Sequence, residues 1–342
     1  MRTCFQLFFS LIFFSSAAQT IGGSAAYNFL HLPPSAFLSA SGGVNISYTN
    51  ELGLAANNPA LLNPQLHSQL QLNFNGFFGG IKAYSATGAC YNKKFNTSFG
   101  SQIYFIDYGS IPQTDPSGNI NGNFRPVDFV IQAGAARKYL ENWSYGLNMK
   151  LIQSTYHIYH STALAFDVGL LYSDTSAKFS ASVLARNMGF QLASFAGVRE
   201  DLPFDLQIGL TKRLARAPLG FSVTAQHAHR LNTTYNDEDF NTENNLQSNH
   251  SFFNKVLNHF IVASHIYIGN NLEATVGYNH LRRAELNIGA SGNGLNGFSA
   301  GIRVKFQKLE ALYSRASYQK NIAYNQIGIT LKLNQFFGLA EP

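Results

Sequence analysis

The amino-acid sequence predicts an all-β protein, a fourteen-stranded antiparallel transmembrane barrel with an N-terminal plug or rim segment. Three observations predict it. Apolar and polar residues alternate with a period of two through most of the chain, which is the period of a strand. Aromatic residues are abundant, at 29 Phe and 17 Tyr, while only 12% of the chain is charged; soluble domains carry about a quarter. The long connections all fall on one parity of the strand order, an asymmetry that outer-membrane barrels show.

The chain opens as an export signal. Met1-Arg2 is a short positive start, Leu7 to Phe14 is apolar except for Ser10, and Ser16-Ala17-Ala18 supplies small residues for cleavage after Ala18. Residues 1–18 are therefore expected to be a signal peptide. The run is short for a membrane helix, and no stop-transfer pattern follows. Cys4 precedes the apolar run, whereas a lipoprotein cysteine follows it. Only Cys90 then remains in a mature chain of about 324 residues, which excludes a disulfide framework and a cysteine-rich metal site. Cys90 is expected to be a packed thiol.

Residues 19–67 have no long strand pattern and are expected to form a periplasmic rim or to enter the lumen. Pro59 favours extended geometry at Asn58 and starts a helical turn at Ala60-Leu61-Leu62. The Asn57 and Asn58 side chains are both placed to cap its amides.

The barrel is expected over 68–337. Its strand segments run near 69–77, 80–91, 95–107, 124–139, 143–156, 159–173, 177–187, 203–214, 218–228, 259–268, 271–281, 297–306, 308–318 and 322–334. Leu70, Leu72 and Phe74 alternate with Gln71, Asn73 and Asn75; Ile327, Ile329, Leu331 and Leu333 alternate with Gly328, Thr330, Lys332 and Asn334. The polar face carries Lys150, Asp167, Asp205, Glu273, Arg303, Lys305, Glu310 and Lys332, which a lipid-embedded barrel turns toward its lumen. Two interiors fit that face: a polar network that pins a plug, or an open conduit.

With the first strand running outward, the periplasmic turns are short. The outer connections include 108–123, 188–202, 229–258 and 282–296, with short ones near Gly79, His157 and Lys320. An even strand count places both chain ends in the periplasm. The last strand is read as ending in Asn334-Gln335-Phe336-Phe337, followed by a short tail at 338–342.

No chemistry-bearing motif stands out. The chain lacks a phosphate loop, His-Glu-x-x-His and a nucleophile elbow. No catalytic residue, cofactor site or metal site is assigned. His227 and His229 are read as sharing a strand face, with His250, His259 and His265 following, a pattern that an amphipathic outer rim explains better than a metal. Asp237, Glu238, Asp239 and Glu243 lie in the longest loop without the glycine and terminal glutamate of a calcium loop. With Phe252 and Phe253, the acidic residues 237–239 make that loop either a docking surface for a protein partner or a segment that folds back over the lumen mouth. The formal charge of +6 is spread along the chain, which does not point to nucleic acid.

The order Gly22-Gly23, Phe29-Leu30, Pro34-Ser35-Ala36, Gly42-Gly43 and Asn58-Pro59-Ala60 resembles the PorQ-type outer-membrane proteins of the type IX secretion system of Bacteroidetes. The Asn-Pro-Ala element is shared with PorV-type and FadL-like barrels. The resemblance implies a fourteen-stranded barrel in the cell outer membrane, with its amino-terminal segment near or in the lumen. It also implies a non-enzymatic anchor, in contact with outer-membrane lipid, that holds a surface partner resembling PorZ. The implied attachment complex contains PorU and PorV and processes secreted cargo for surface attachment. The alternative is a FadL-like transporter of hydrophobic small molecules. Some relatives carry a penicillin-binding label, but this chain lacks the Ser-x-x-Lys, Ser-Asp-Asn and Lys-Thr-Gly set that the activity needs.

Overall fold

The computed structural model describes residues 26–195, 197–231, 233, 252–286, 294–319 and 322–338. The expected signal peptide, Gly22-Gly23, the acidic residues 237–239 with Glu243, and His250 lie outside the described residues. So do the short connection at Lys320 and most of the tail.

Among the described residues, sixteen strands are present. The first eight are β1 Gln69–Gly76, β2 Lys82–Asn92, β3 Thr97–Asp107, β4 Ile111–Thr114, β5 Ile120–Phe124, β6 Val127–Lys138, β7 Trp143–Tyr156 and β8 Tyr159–Asp174. The rest are β9 Phe179–Ala193, β10 Asp205–Arg213, β11 Leu219–Ala225, β12 Phe260–Ile268, β13 Leu272–Asn279, β14 Phe298–Lys305, β15 Leu309–Gln319 and β16 Ile322–Lys332. Fourteen of them close into an antiparallel barrel in which β1 pairs with both β2 and β16, and β4–β5 form a separate hairpin. Closure leaves no open sheet edge, the condition for strands to cross hydrocarbon. No described helix is long and apolar enough to cross a membrane.

Side-chain alternation explains the wall. Gln71, Asn73 and Asn75 are buried inward, whereas Leu72 is 46% and Phe74 39% exposed on the outer face. On β7, Leu147, Met149 and Leu151 are about half exposed, with Asn148 and Lys150 buried between them. An apolar exterior and a polar interior invert the soluble pattern, as a lipid-facing barrel requires. All eight charged side chains expected inward sit on the lumen-facing register of their strands.

The connections sort into a short-turn end and a loop end. Inside the 108–123 loop the chain folds into the β4–β5 hairpin, because the Asp115 carboxylate accepts the Ser117 and Asn119 amides, both at 2.9 Å, and fixes the turn. The Asn119 side-chain amide, donating at 3.0 Å, together with these backbone amides holds the Asp115 carboxyl below its usual range. β9 runs to Ala193, well past the expected end at 187, and carries a bulge where Arg186 and Asn187 oppose Asp167. Asn187 takes φ 58° there; side-chain alternation reads a bulge as a strand end, because the pattern slips by one residue. The terminal aromatic strand is also corrected. β16 stops at Lys332, and Leu333–Phe337 is a helical turn capped by left-handed Gly338, whose N–H reaches Asn334 O. Cys90 is exposed on the outer wall rather than packed.

Residues 26–67 fill the lumen. The Ala26 amide reaches Asp201 O at the loop end, and His67 accepts the Tyr91 amide near the start of β1, at the short-turn end. The plug thus runs from one mouth to the other. The expectation that both chain ends lie at the short-turn side falls on residues outside the described ones; Ala26, the first described residue, lies at the loop end. Phe37, Leu38, Leu52, Leu54, Leu61 and Leu62 form an apolar core within the barrel, closed by Ala136, Leu171 and Leu312 of the wall.

Candidate functional site

The plug and the wall around it form the candidate site. The plug is a series of short capped turns, each of which leaves polar groups that the wall satisfies. Ser35 caps the helix Ala36–Ala40 by accepting the Leu38 amide, while Asn73 of β1 accepts the Ala36 amide at 3.1 Å. Asn58 caps the turn Pro59–Leu61 through Ala60 N, and its amide donates to Ile46 O and Ser182 Oγ, both at 2.7 Å. One asparagine therefore caps a plug turn and binds β9. Asn57 does not cap this turn as expected; its Oδ1 accepts from Arg186 at 3.2 Å. Arg186 also donates to Leu30 O, and Gln132 and Asn148 both donate to Ala56 O.

Inward-facing glycines let the plug approach the wall backbone. A methyl group on Gly146 would stand 2.5 Å from the Pro59 carbonyl carbon, and one on Gly277 would stand 2.3 Å from Gly42 N. Comparable space is taken by Asn58 at Gly169, Ile46 at Gly209 and Ala40 at Gly301. Gly42 and Gly43 adopt φ near +92° and +98°, which only glycine takes readily. The turn they allow aims Gly42 O at the Asn279 amide and the Arg282 guanidinium.

The centre of the contact is ionic. Arg303 of β14 pairs with Glu51 of the plug and with Glu273 of β13 at 3.4 Å. Glu51 also accepts from Gln71 at 2.8 Å and caps the helix Leu52–Ala55. Tyr48 donates to Glu273 at 2.7 Å, and burial holds its phenol well above the usual range, so it stays protonated and remains a donor. The Arg303 guanidinium lies 4.4 Å from the Phe37 ring centroid, and that ring stacks on His265 at 5.6 Å. Such a group is stable in the interior only because each charge has partners.

A second buried pair joins Lys150 to Asp167 at 2.7 Å, with Asn187 Oδ1 accepting from the same ammonium at 2.9 Å. The β9 bulge supplies that oxygen, and the Asn187 amide binds Asp167 as well. A third group surrounds Asp205, which accepts the His227 amide and lies 3.2 Å and 4.0 Å from the His227 and His229 rings. β11 ends at Ala225, so these histidines follow the strand instead of sharing its face. Among the described residues, no group of three His, Cys, Asp or Glu is placed to hold a metal ion.

The two mouths differ. At the loop end, Ala26, Tyr27, Phe29 and Leu30 pack on inward apolar side chains, among them Tyr104, Ile106, Val130, Ile152 and Leu202. At the short-turn end, a polar recess of about 270 Å³ lies between the plug and the strand ends, lined by Glu51, His67, Lys305, Glu310 and Lys332 among others.

The structure gathers Phe29, Leu30, Gly42, Gly43, Asn58, Pro59 and Ala60 in the plug. It does not bring the docking residues to them: Phe252 and Phe253 stand on a short loop helix, Phe252–Leu257, 74% and 67% exposed. Sequence reasoning missed Tyr48, Glu51, Arg186 and the wall glycines as contact residues. A glycine at a lumen-facing strand position was the available signal, since it marks a close backbone approach.

No family model matches the chain, and no curated protein matches it. Among solved structures it is similar to the toluene transporter TbuX of Ralstonia pickettii, with a TM-score of 0.53 and 10% identity over 89% of this chain and 98% of that one. It is also similar to the monoaromatic hydrocarbon channel CymD, with a TM-score of 0.50 and 11% identity over 90% of this chain and 97% of that one. A Pseudomonas aeruginosa FadL homologue gives a TM-score of 0.49 and 9% identity, covering 87% of this chain and 98% of that one. At such identities the likeness concerns the fold alone, and this chain's fold is a closed fourteen-strand barrel.

Proposed function

We propose that this outer-membrane barrel is a sealed, non-enzymatic anchor whose loop end holds a surface protein. The partner would be PorZ-like and would belong to an attachment complex with PorU- and PorV-like components, the role implied by the resemblance to PorQ-type proteins. The observation that carries the reading is the lumen: residues 26–67 run through it from mouth to mouth and are held by the buried Arg303–Glu51 and Arg303–Glu273 pairs. A barrel filled in this way leaves its loops as its working surface.

The solved structures favour a second reading, a FadL-like transporter of hydrophobic small molecules, and one local feature supports it. The apolar wall patch at the loop end is covered by the chain's own Tyr27, Phe29 and Leu30. Release of that segment would leave an apolar pocket of the kind that takes an uncharged hydrocarbon.

One pair of measurements separates the readings. Affinity purification of the intact outer-membrane complex, with and without residues 232–249, tests the anchor. The expected result is a co-purifying surface protein that is lost on loop deletion; full retention removes the docking role of that loop. Uptake of a labelled alkylbenzene into proteoliposomes tests transport. Uptake above protein-free vesicles, with no co-purifying partner, establishes the second reading and overturns the first.

A further inference from the structure

The short-turn end of the barrel is ringed by exposed cations. Lys93 and Lys94 sit in the β2–β3 turn, Arg137 and Lys138 at the end of β6, Lys178 in the β8–β9 turn, Arg216 in the β10–β11 turn and Lys308 in the β14–β15 turn, all exposed. Five of the six short turns of the closed barrel thus carry basic groups on or beside them. Counted the same way among the described residues, these turns hold three carboxylates, Glu141, Asp174 and Glu310, and Glu310 is paired with Lys332 at 3.6 Å. The Asp174 carboxylate is already engaged with the Ala177 amide at 2.9 Å. The loop end is mixed in sign: Arg125 pairs with Asp107, and Arg199 adjoins Glu200 and Asp201.

Exposed rings accompany the cations at three of these turns and after β16. Phe95, Tyr139, Trp143, Phe306, Phe336 and Phe337 lie on the same rim. Lys94 stands 6.0 Å from the Phe95 ring centroid, and Lys308 stands 5.5 Å from that of Phe336. Rings of this kind settle where hydrocarbon meets headgroups. Basic side chains at that depth extend toward the polar layer and meet lipid phosphates.

We propose that this rim is a binding collar for anionic phospholipid, which fixes the depth of the barrel and turns its short-turn end toward a phospholipid leaflet. The occupant follows from the arrangement. The collar takes in five of the six short turns, exposed rings accompany it at three of them and after β16, and the charge it offers phosphates is predominantly positive. A folded acidic protein would need a contiguous patch on one side. The collar is independent of whether the barrel anchors a partner or transports a solute.

The test uses the full chain folded in phosphatidylcholine bilayers doped with spin-labelled phosphatidylglycerol or spin-labelled phosphatidylcholine. Electron paramagnetic resonance reads the motionally restricted lipid at the protein surface. The expected result is a several-fold preference for phosphatidylglycerol that declines as salt screens the collar. A Lys93→Gln, Lys94→Gln, Lys178→Gln, Arg216→Gln variant should lose most of that preference, while Arg199→Gln at the loop end should keep it. Heat-modifiable migration on a gel confirms that each variant is folded, and the salt titration of the unaltered protein needs no variant. Equal restriction of the two lipids, a preference indifferent to salt, or a preference unchanged in the quadruple variant overturns the proposal. Binding of soluble polyglutamate without any lipid preference also overturns it and assigns the collar to an acidic protein.

Discussion

At the scale of single residues, Arg303 decides whether the plug is held. It neutralises two buried carboxylates, Glu51 and Glu273, one from the plug and one from the wall. Arg303→Ala should destabilise the folded barrel by about 3–5 kcal/mol, because removing one partner leaves uncompensated charge in the interior. Urea unfolding in lipid vesicles, followed by tryptophan fluorescence at Trp143, measures this. Adding Glu51→Gln and Glu273→Gln should recover much of the loss, and a loss unaffected by those changes would mean that packing dominates. Tyr48 gives a prediction in pH. Its phenol is raised well above the usual value by burial, whereas the unfolded chain ionises it near about 10. The unfolded state then binds fewer protons, so stability should fall as pH rises above about 10. Tyr48→Phe should flatten that fall in alkaline unfolding curves; an unchanged slope would assign it to other groups.

At the scale of elements, the fit between plug and wall rests on backbone approach. Gly146 faces Pro59 and Gly277 faces Gly42, each with no room for a methyl group. Gly146→Val should cost about 1–3 kcal/mol, since backbone cannot swing aside as a side-chain tip can. It should also make the segment near Asn58 more accessible to protease in folded barrels. Gly88 of β2, where an added methyl would meet nothing nearer than 3.9 Å, is the matched control. If both variants behave alike, the glycines are not a seat for the plug. Element-level reading of the sequence located every wall strand, because a period of two survives any tertiary context. It failed where that period slips or stops. The β9 bulge at Arg186-Asn187 exists to present two inward side chains to Asp167, Lys150 and the plug, and that requirement comes from distant chain. The turn Leu333–Phe337 looked like strand, yet the Leu333 amide binds Ser68 O and bends the chain out of the sheet.

At the scale of the whole molecule, the barrel is a closed wall around its own leading segment. Removal of residues 26–67 should leave a lumen lined by Gln71, Asn73, Gln132, Lys150 and Asp167, which is polar enough to fill with water. Single-channel recording in planar bilayers should then show stable conductance where the full chain shows little. A silent, folded deletion variant would mean that the loops close the pore without the plug.

The sequence by itself determined that the chain is a barrel, which side chains face the lipid, and that the long loops share one end. These properties are local: they depend on alternation along a strand and on the length of each connection. Only the tertiary structure decided that the lumen is filled and that Arg303 meets Glu51 across 252 positions of sequence. The physical reason is that a buried charge or a wall glycine acquires its role from whatever stands opposite it, and no periodicity in the chain encodes that neighbour.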